Sequence, residues 1–241
     1  MLKGIVFDLD GTLLDTPLDL EETRKAVLKV LAKHGVPERL LSASDYIERN
    51  KERAFQYLIK IGKASPDLLE KISSEVDEVL CELELKRLGK SKLYPNVKEM
   101  LSMLKRMGFK LALFTFSSRR IVQKLIESEG LKDLFDVVVT RNDVSKPKPN
   151  LEHLQSTIEK LGLKPSEVAV VSDGLSDLKN AKALGCVSIG VLTGFGSRER
   201  FREAKPDFVL EKATDLLMIL EELRAARGTT RLLSASSRRV S

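Results

Sequence analysis

The chain has 241 residues, of which 42% are hydrophobic and 32% charged. These values fit one large α/β domain with a smaller inserted domain, and they exclude disorder over most of the length. No apolar run approaches the roughly 18–20 residues that a bilayer-spanning helix needs, so no membrane partner is expected. The first apolar run is broken by Asp8, which argues against a secretory signal.

Charge and cysteine content favour a cytoplasmic protein without a nucleic-acid partner. The formal charge of +6 includes four arginines in the last fifteen residues, so the basic character belongs largely to the tail. Only Cys81 and Cys186 are present, which excludes a disulfide framework and a CxxC zinc or redox motif. A reduced compartment is therefore expected. The protein is expected to be a monomer or a homodimer.

The first predicted strand, at residues 4–7, is followed by about 100 residues that have helical patterns. Asp19-x-x-Glu22 resembles a capping box, a second helix is predicted over about 44–60, and a third begins at Ser65-Pro66. Residues 16–92 are thus predicted to form an all-α cap domain. The predicted core domain comprises residues 1–15 and 93–227, and residues 228–241 form a predicted disordered tail.

Five further apolar runs are predicted strands, and helical patterns alternate with them from about residue 95. The runs are apolar at successive positions, which is typical of strands buried on both faces. Alternation of strands and helices predicts an α/β fold with a parallel sheet and helices on both faces. These runs lie at 111–114, 137–139, 168–171, 187–191 and 208–210.

The segment Asp8-Leu9-Asp10-Gly11-Thr12 directly follows the first predicted strand. Side chains at i and i+2 of an extended chain point the same way, so the two carboxylates would project together. Like charges at close range separate two pKa values, which suits a nucleophile beside a general acid or base. By itself the pentapeptide fits a solvated acidic turn equally well.

Other predicted strands also end in polar side chains, and this favours a site. Thr115 follows one strand, Lys146 lies in the loop after another, and Asp173 and Asp177 follow a third. Ligands of open parallel sheets bind at the carboxyl ends of the strands, so these groups would converge. The carboxylates would repel a phosphate unless a hard cation such as Mg²⁺ neutralised them. Lysine, threonine and backbone N–H groups then suit phosphoryl transfer.

These residues resemble the four motifs of the haloacid dehalogenase (HAD) superfamily, in the family's order and over about residues 1–225. Residues 190–199 and 205–208 are similar to its phosphoglycolate phosphatase-like branch, and the helical insert looks like that branch's cap. The resemblance implies a Rossmann-like core and a Mg²⁺-dependent phosphatase that hydrolyses a small phosphorylated metabolite. Phe116 after Thr115 and Ser172 before Asp173 depart from the common pattern.

The resemblance also implies a role for each matching residue. Asp8 would attack phosphorus to form an aspartyl-phosphate, and Asp10 would protonate the leaving oxygen and then activate water. Thr115 and Lys146 would hold the transferring phosphoryl group. The predicted substrate contacts and metal ligands complete the site: Thr12, Phe116 and Ser117 for substrate, and Asp8, Asp10, Asp173 and Asp177 for Mg²⁺.

Three alternatives remain open at this stage. A phosphosugar mutase of the same architecture would return the phosphoryl group to a bound sugar. A phospho-accepting signalling module also places an aspartate, a hydroxyl and a lysine at strand ends, although Asp10 and the large cap fit turnover better. The third alternative is a binding protein that retains the scaffold without catalysis.

Overall fold

The structure, a computed structural model, describes residues 1–220, so the predicted tail lies outside the described residues. In chain order the helices and strands are β1 (Gly4–Phe7), β2 (Leu14–Asp15), α1 (Leu20–Lys33), α2 (Ile47–Lys60), α3 (Pro66–Leu88), β3 (Lys92–Leu93), α4 (Val97–Arg106), β4 (Lys110–Phe114), α5 (Arg119–Ser128), β5 (Val137–Val139), α6 (Leu151–Leu161), β6 (Val168–Ser172), α7 (Leu175–Leu184), β7 (Val187–Val191), α8 (Arg198–Ala204) and β8 (Phe208–Leu210).

A six-stranded parallel sheet has the order β5-β4-β1-β6-β7-β8. Central strand β1 pairs with β4 and β6, so that Ile5 lies beside both Leu111 and Ala169. The chain builds outward from β1 to one edge, then returns to β6 and builds toward the other. Such a reversal leaves a crevice at the carboxyl ends of the strands, here those of β1, β4 and β6.

Both faces of the sheet are covered by helices, as predicted. Successive β1 residues alternate between the faces. Ile5 and Phe7 pack with α4 and α5 on one face, whereas Val6 packs with α6 and α7 on the other. All six predicted strands are present in this sheet, and the α/β fold class is confirmed.

The helices α1, α2 and α3 have a hydrophobic cluster of their own. The Asp19 carboxylate accepts from the Glu22 N–H at the start of α1, and the Ser65 hydroxyl caps α3, so the predicted helix starts at these two residues are present. The chain enters and leaves this unit through β2 and β3, which pair antiparallel at Leu14 and Leu93. We retain residues 16–92 as the predicted cap.

Arg141 connects the sheet to helix α3. Its buried guanidinium lies 2.7 Å from the Asp77 carboxylate and also pairs with Glu84, both of which are on α3. It also donates to the carbonyl of Phe116, whose ring packs against the helical cluster. These contacts place α3 over the carboxyl ends of the strands.

Candidate active site

A cavity of about 310 Å³ lies between the carboxyl ends of the strands and the helices α1, α2 and α3. Strand ends and the loops after them contribute polar side chains. Helices α1, α2 and α3 contribute apolar residues together with Thr23, Glu84 and two arginines. The sequence-predicted residues that line it are Asp8, Asp10, Thr115, Phe116, Ser117, Asp173 and Asp177. The chain thus brings together groups that are as much as 169 positions apart in sequence.

Asp8 lies at the centre of the polar wall. Its N–H donates to the carbonyl of Val171, which continues the sheet one residue beyond β1 and fixes the start of the side chain. Burial raises the pKa of Asp8 well above its usual value, because the Asp177 and Asp173 carboxylates add to desolvation and outweigh Lys148. A buried carboxylate in this environment gains strongly from added positive charge.

Asp10 is held by two hydroxyl groups. The hydroxyl of Thr16 donates to Oδ1 at 2.8 Å, and that of Ser117 donates to Oδ2 at 2.7 Å. Thr16 follows β2 and Ser117 follows β4, so two separate segments orient this carboxylate on the cavity wall. Ser117 also donates its N–H to the Thr115 hydroxyl at 3.0 Å, which leaves the Thr115 O–H as a donor.

The lysine that contacts the site carboxylates is Lys148, and not Lys146 as predicted from the sequence. Lys148 Nζ lies 2.6 Å from Asp8 Oδ1, 2.8 Å from Asp177 Oδ2 and 3.5 Å from the centre of the Phe114 ring. Lys146 is exposed and does not line the cavity. Burial alone would lower the pKa of Lys148, but the carboxylates of Asp177 and Asp8 outweigh it and raise that pKa.

His153 explains why Lys148 occupies this position. Its Nδ1 accepts the Lys148 N–H at 3.1 Å, and its Nε2 lies 3.2 Å from the carbonyl of Val139. Burial, followed by the charge of Lys148, lowers the pKa of His153 to about 4, so the ring is neutral near pH 7. Neutral His153 donates from Nε2 and accepts at Nδ1, and this fixes the backbone of the lysine.

The Asp173 carboxylate is held from two directions. Oδ1 accepts from the Thr12 hydroxyl at 3.2 Å, and Oδ2 accepts from the Phe195 N–H at 2.7 Å. Thr12 also accepts the Asp173 N–H and is fully buried outside the cavity lining, so it positions Asp173 instead of facing a substrate. Burial, with a contribution from Asp177, raises the pKa of Asp173.

Two glycines allow the loop after β7 to close on Asp173. Gly11 and Gly194 have φ of +80° and +57°, and a Cβ on either would lie 2.3 Å from Asp173 Oδ2. The Thr193 hydroxyl donates to the carbonyl of Gly11 at 2.6 Å, which joins this loop to the turn after β1. A side chain at either glycine would displace the carboxylate.

Asp177 lies in the first turn of α7. Its Oδ2 accepts from Lys148 and from the Ser172 hydroxyl, the latter at 2.8 Å. The other oxygen, Oδ1, is buried and has no hydrogen-bond partner among the described residues. Ser172, which departs from the family pattern, therefore helps to orient a site carboxylate.

The donor set fits a divalent cation. Asp8, Asp173 and Asp177 are buried, and Lys148 is the cation that contacts two of them, so negative charge is in excess. The unpartnered Asp177 Oδ1 is a further available oxygen. Within residues 1–220 no three acidic, histidine or cysteine side chains form a metal-binding group by themselves. This is compatible with Mg²⁺, which retains waters and takes few protein ligands.

The comparisons with known proteins agree with this geometry. The family model described as "Haloacid dehalogenase-like hydrolase" matches residues 5–191. The chain belongs to this family. It is 32% identical to a phosphoglycolate phosphatase from Vibrio vulnificus (strain YJ016), covering 91% of this chain and 96% of that protein. It is 30% identical to "Pyrophosphatase PpaX" from Bacillus mycoides (strain KBAB4), covering 92% and 98%.

A solved structure is also similar to this HAD-like hydrolase. It is a predicted phosphoglycolate phosphatase from Haemophilus somnus 129PT, with 25% identity, a TM-score of 0.61, and coverage of 91% of this chain and 98% of that one. The predicted resemblance to the HAD family and the expectation of an enzyme are thus confirmed. Every helix of this HAD-like hydrolase within residues 1–220 is too short or too polar to cross a membrane.

Proposed function

We propose that this protein is a Mg²⁺-dependent phosphatase that hydrolyses a small phosphorylated metabolite through an aspartyl-phosphate on Asp8. One observation carries the proposal: Asp8 and Asp10 line the same cavity, and Lys148 contacts the Asp8 carboxylate at 2.6 Å. A nucleophile, an acid–base group and a positive charge are the equipment of phosphoryl transfer. The names of the relatives point to the same chemistry.

In the first step Asp8 attacks phosphorus, and the bond between phosphorus and the leaving oxygen breaks. Lys148 contacts the Asp8 carboxylate and Thr115 lines the same cavity, so both would stabilise the charge of the transferring group. Asp10 gives its proton to the leaving oxygen, so that the product departs as an alcohol. Thr16 and Ser117 hold the Asp10 carboxylate in place for this transfer.

In the second step a water attacks the phosphorus of the aspartyl-phosphate. Asp10, now ionised, takes a proton from that water and so regains the acid form. Phosphate leaves and Asp8 becomes a carboxylate again. Because Asp10 acts in both steps, its substitution is expected to slow the formation and the hydrolysis of the intermediate.

Mg²⁺ would be held by the carboxylates of Asp8 and Asp173 and by the backbone carbonyl of Asp10, with Asp177 close by. When bound, it supplies positive charge that lets an anionic phosphate approach a carboxylate-lined cavity. Thr12 and Phe195 keep the Asp173 carboxylate in position by donating to both of its oxygens.

Residues 16–92 would act as a cap that closes the cavity and excludes bulk water. The small cavity volume, about 310 Å³, favours a metabolite over a macromolecular substrate. A cytoplasmic location is proposed as well, because the sequence holds only two cysteines and no CxxC motif and so offers no disulfide framework.

A phosphate-release assay with and without Mg²⁺ tests the proposal. The panel comprises an aryl phosphate, phosphoglycolate, sugar phosphates, nucleotides and pyrophosphate. Wild-type protein is expected to release phosphate only with Mg²⁺, and Asp8→Asn is expected to abolish release while circular dichroism stays unchanged. Release by Asp8→Asn would reject Asp8 as the nucleophile. A bisphosphate requirement without net release would indicate a mutase instead.

A further inference from the structure

The helical side of the cavity carries two arginines that have no carboxylate partner. Arg24 on α1 and Arg87 on α3 both line the cavity, and neither forms an ion pair with any residue in 1–220. Two basic residues of α2 behave differently, since Arg53 pairs with Asp45 and Lys51 pairs with Glu48. Arg24 and Arg87 thus bring positive charge without an ion-pair partner among the described residues to the cavity wall.

Arg87 is the less satisfied of the two. Its Nη1 donates to the hydroxyl of Thr23 at 3.1 Å, whereas its Nε is buried and has no hydrogen-bond partner within the described part of the chain. A guanidinium has five N–H donors in a rigid fork that matches an oxyanion. Arg24, in contrast, directs Nη1 to the backbone carbonyls of Ala43 and Ser44.

A purely structural role accounts poorly for Arg87. A basic residue in the last turn of a helix is favourable because of the helix dipole, but an exposed side chain such as Lys86 provides that equally well. Burying a guanidinium N–H without an acceptor is unfavourable. Apolar Leu80, Leu88 and Ile47 line the same cavity, and low polarity strengthens any contact with an anion. Glu84 also lines it, but its carboxylate is paired with Arg141 and leaves Arg87 without an acidic partner in residues 1–220.

We propose that Arg87 is a specificity-determining residue that binds a second anionic group of the substrate, while the phosphate lies against Asp8 and Lys148. The substrate class is then a small phosphomonoester, or phosphoanhydride, that carries a carboxylate or a second phosphate. The Thr23 hydroxyl accepts from the Arg87 guanidinium, and the Arg87 Nε is available to donate to the substrate oxygen. This inference rests on the proposed phosphatase function and extends it to substrate choice.

Two esters of nearly equal size form the test. Phosphoglycolate carries a carboxylate, and 2-hydroxyethyl phosphate carries a neutral hydroxyl in its place; pyrophosphate tests a second phosphate. The measured quantity is kcat/KM for each, for wild type, Arg87→Gln, Arg87→Lys and the control Lys86→Gln. Lys86 is exposed on the same helix and does not line the cavity, so its variant controls for loss of positive charge on α3.

Wild type is expected to favour an anionic probe over the neutral ester. Arg87→Gln should lower that preference roughly 10–100-fold, mainly through KM, because a charged hydrogen bond to the substrate is lost. Arg87→Lys should restore part of it, and Lys86→Gln should leave it unchanged. If Arg87→Gln lowers kcat/KM for pyrophosphate but not for phosphoglycolate, the second anionic group is a phosphate.

Several outcomes would overturn the inference. These are an unchanged preference in folded Arg87→Gln, an equal loss on charged and neutral substrates, or a wild type that hydrolyses neutral esters but neither anionic probe. A protein that hydrolyses no phosphate ester at all would reject the proposed function itself.

Discussion

Replacing Lys148 by methionine removes the buried positive charge of the site and keeps most of the length of the unbranched side chain. The ammonium contacts Asp8 at 2.6 Å and Asp177 at 2.8 Å, and the exposed fraction of the Lys148 side chain is only 10%. Each hydrogen bond to a charged group contributes about 1.5–3 kcal/mol. Breaking a buried ion pair by removing one partner typically costs about 3–5 kcal/mol, because a carboxylate is left buried and unpaired.

We expect a loss near the lower end of this range, about 3 kcal/mol in the free energy of unfolding without metal. The reason is that Asp8, whose pKa is already raised, can take a proton when the lysine is absent. Added Mg²⁺ should return part of the lost stability. For catalysis, losing one preorganised positive group should lower kcat roughly 10²–10³-fold.

Lys146→Met is the matched control, two positions away in the same Lys-Pro-Lys-Pro segment. Lys146 is exposed, so its substitution should change stability by less than about 0.5 kcal/mol and leave phosphate release intact. Urea denaturation in EDTA and in Mg²⁺, together with phosphate-release kinetics, measures both variants. Loss of activity in Lys146→Met with retention in Lys148→Met would refute the assignment.

Two further predictions concern the groups that hold the site together. Burial and the Lys148 charge lower the pKa of His153 from 6.5 to about 4, so its neutral form stabilises the fold by on the order of 3 kcal/mol above pH 6.5. That stability is lost as the pH falls from 6.5 toward 4. The urea midpoint should therefore fall less steeply with pH in His153→Gln than in wild type. Equal slopes of midpoint against pH would contradict the prediction. Gly194→Ala should cost at least about 2 kcal/mol, since its Cβ would meet Asp173 Oδ2 in a backbone region that disfavours side chains. Gly108→Ala, with φ of +85° and nothing within 4 Å of its Cβ, should cost only about 1 kcal/mol of strain, and equal losses measured by denaturation would argue against the clash.

The sheet, and the polar groups at the carboxyl ends of its strands, could be predicted from the sequence because both follow from local patterns. Apolar runs such as Val168–Ser172 are short and bounded by polar residues, and each run ends where a polar side chain begins. Parallel connectivity then places those ends at one edge. The helix starts at Asp19 and Ser65 were equally local, since each depends on one side chain and the backbone N–H three residues later.

The choice between Lys146 and Lys148 could not be made in the same way. Both lysines follow β5 and both precede a proline. They differ only in the tertiary contacts that each makes in the folded chain. His153 accepts the Lys148 N–H from a helix that begins after the loop, and this contact selects the lysine that turns inward. An isolated histidine in the sequence gives no sign of that role.

The residues that helices α1–α3 contribute to the cavity could not be predicted from local patterns either. Arg87 has the sequence position of an ordinary basic residue in the last turn of a helix, and the packing of α3 over the strand ends is what directs it inward. Arg141 and its contacts with Asp77 and Glu84 produce that packing. Thr12 is similar, because its hydroxyl meets Asp173 only after 161 positions of intervening chain have folded.

Asp8 is proposed to carry the phosphoryl group during turnover. Rapid acid quench of wild-type protein turning over phosphoglycolate or an aryl phosphate, followed by peptide mass spectrometry, tests it directly. Wild-type protein is expected to yield a peptide phosphorylated at Asp8, and Asp8→Asn is expected to yield none. Active enzyme whose Asp8 peptide is never phosphorylated, or a phosphoryl group found on another residue, would contradict it.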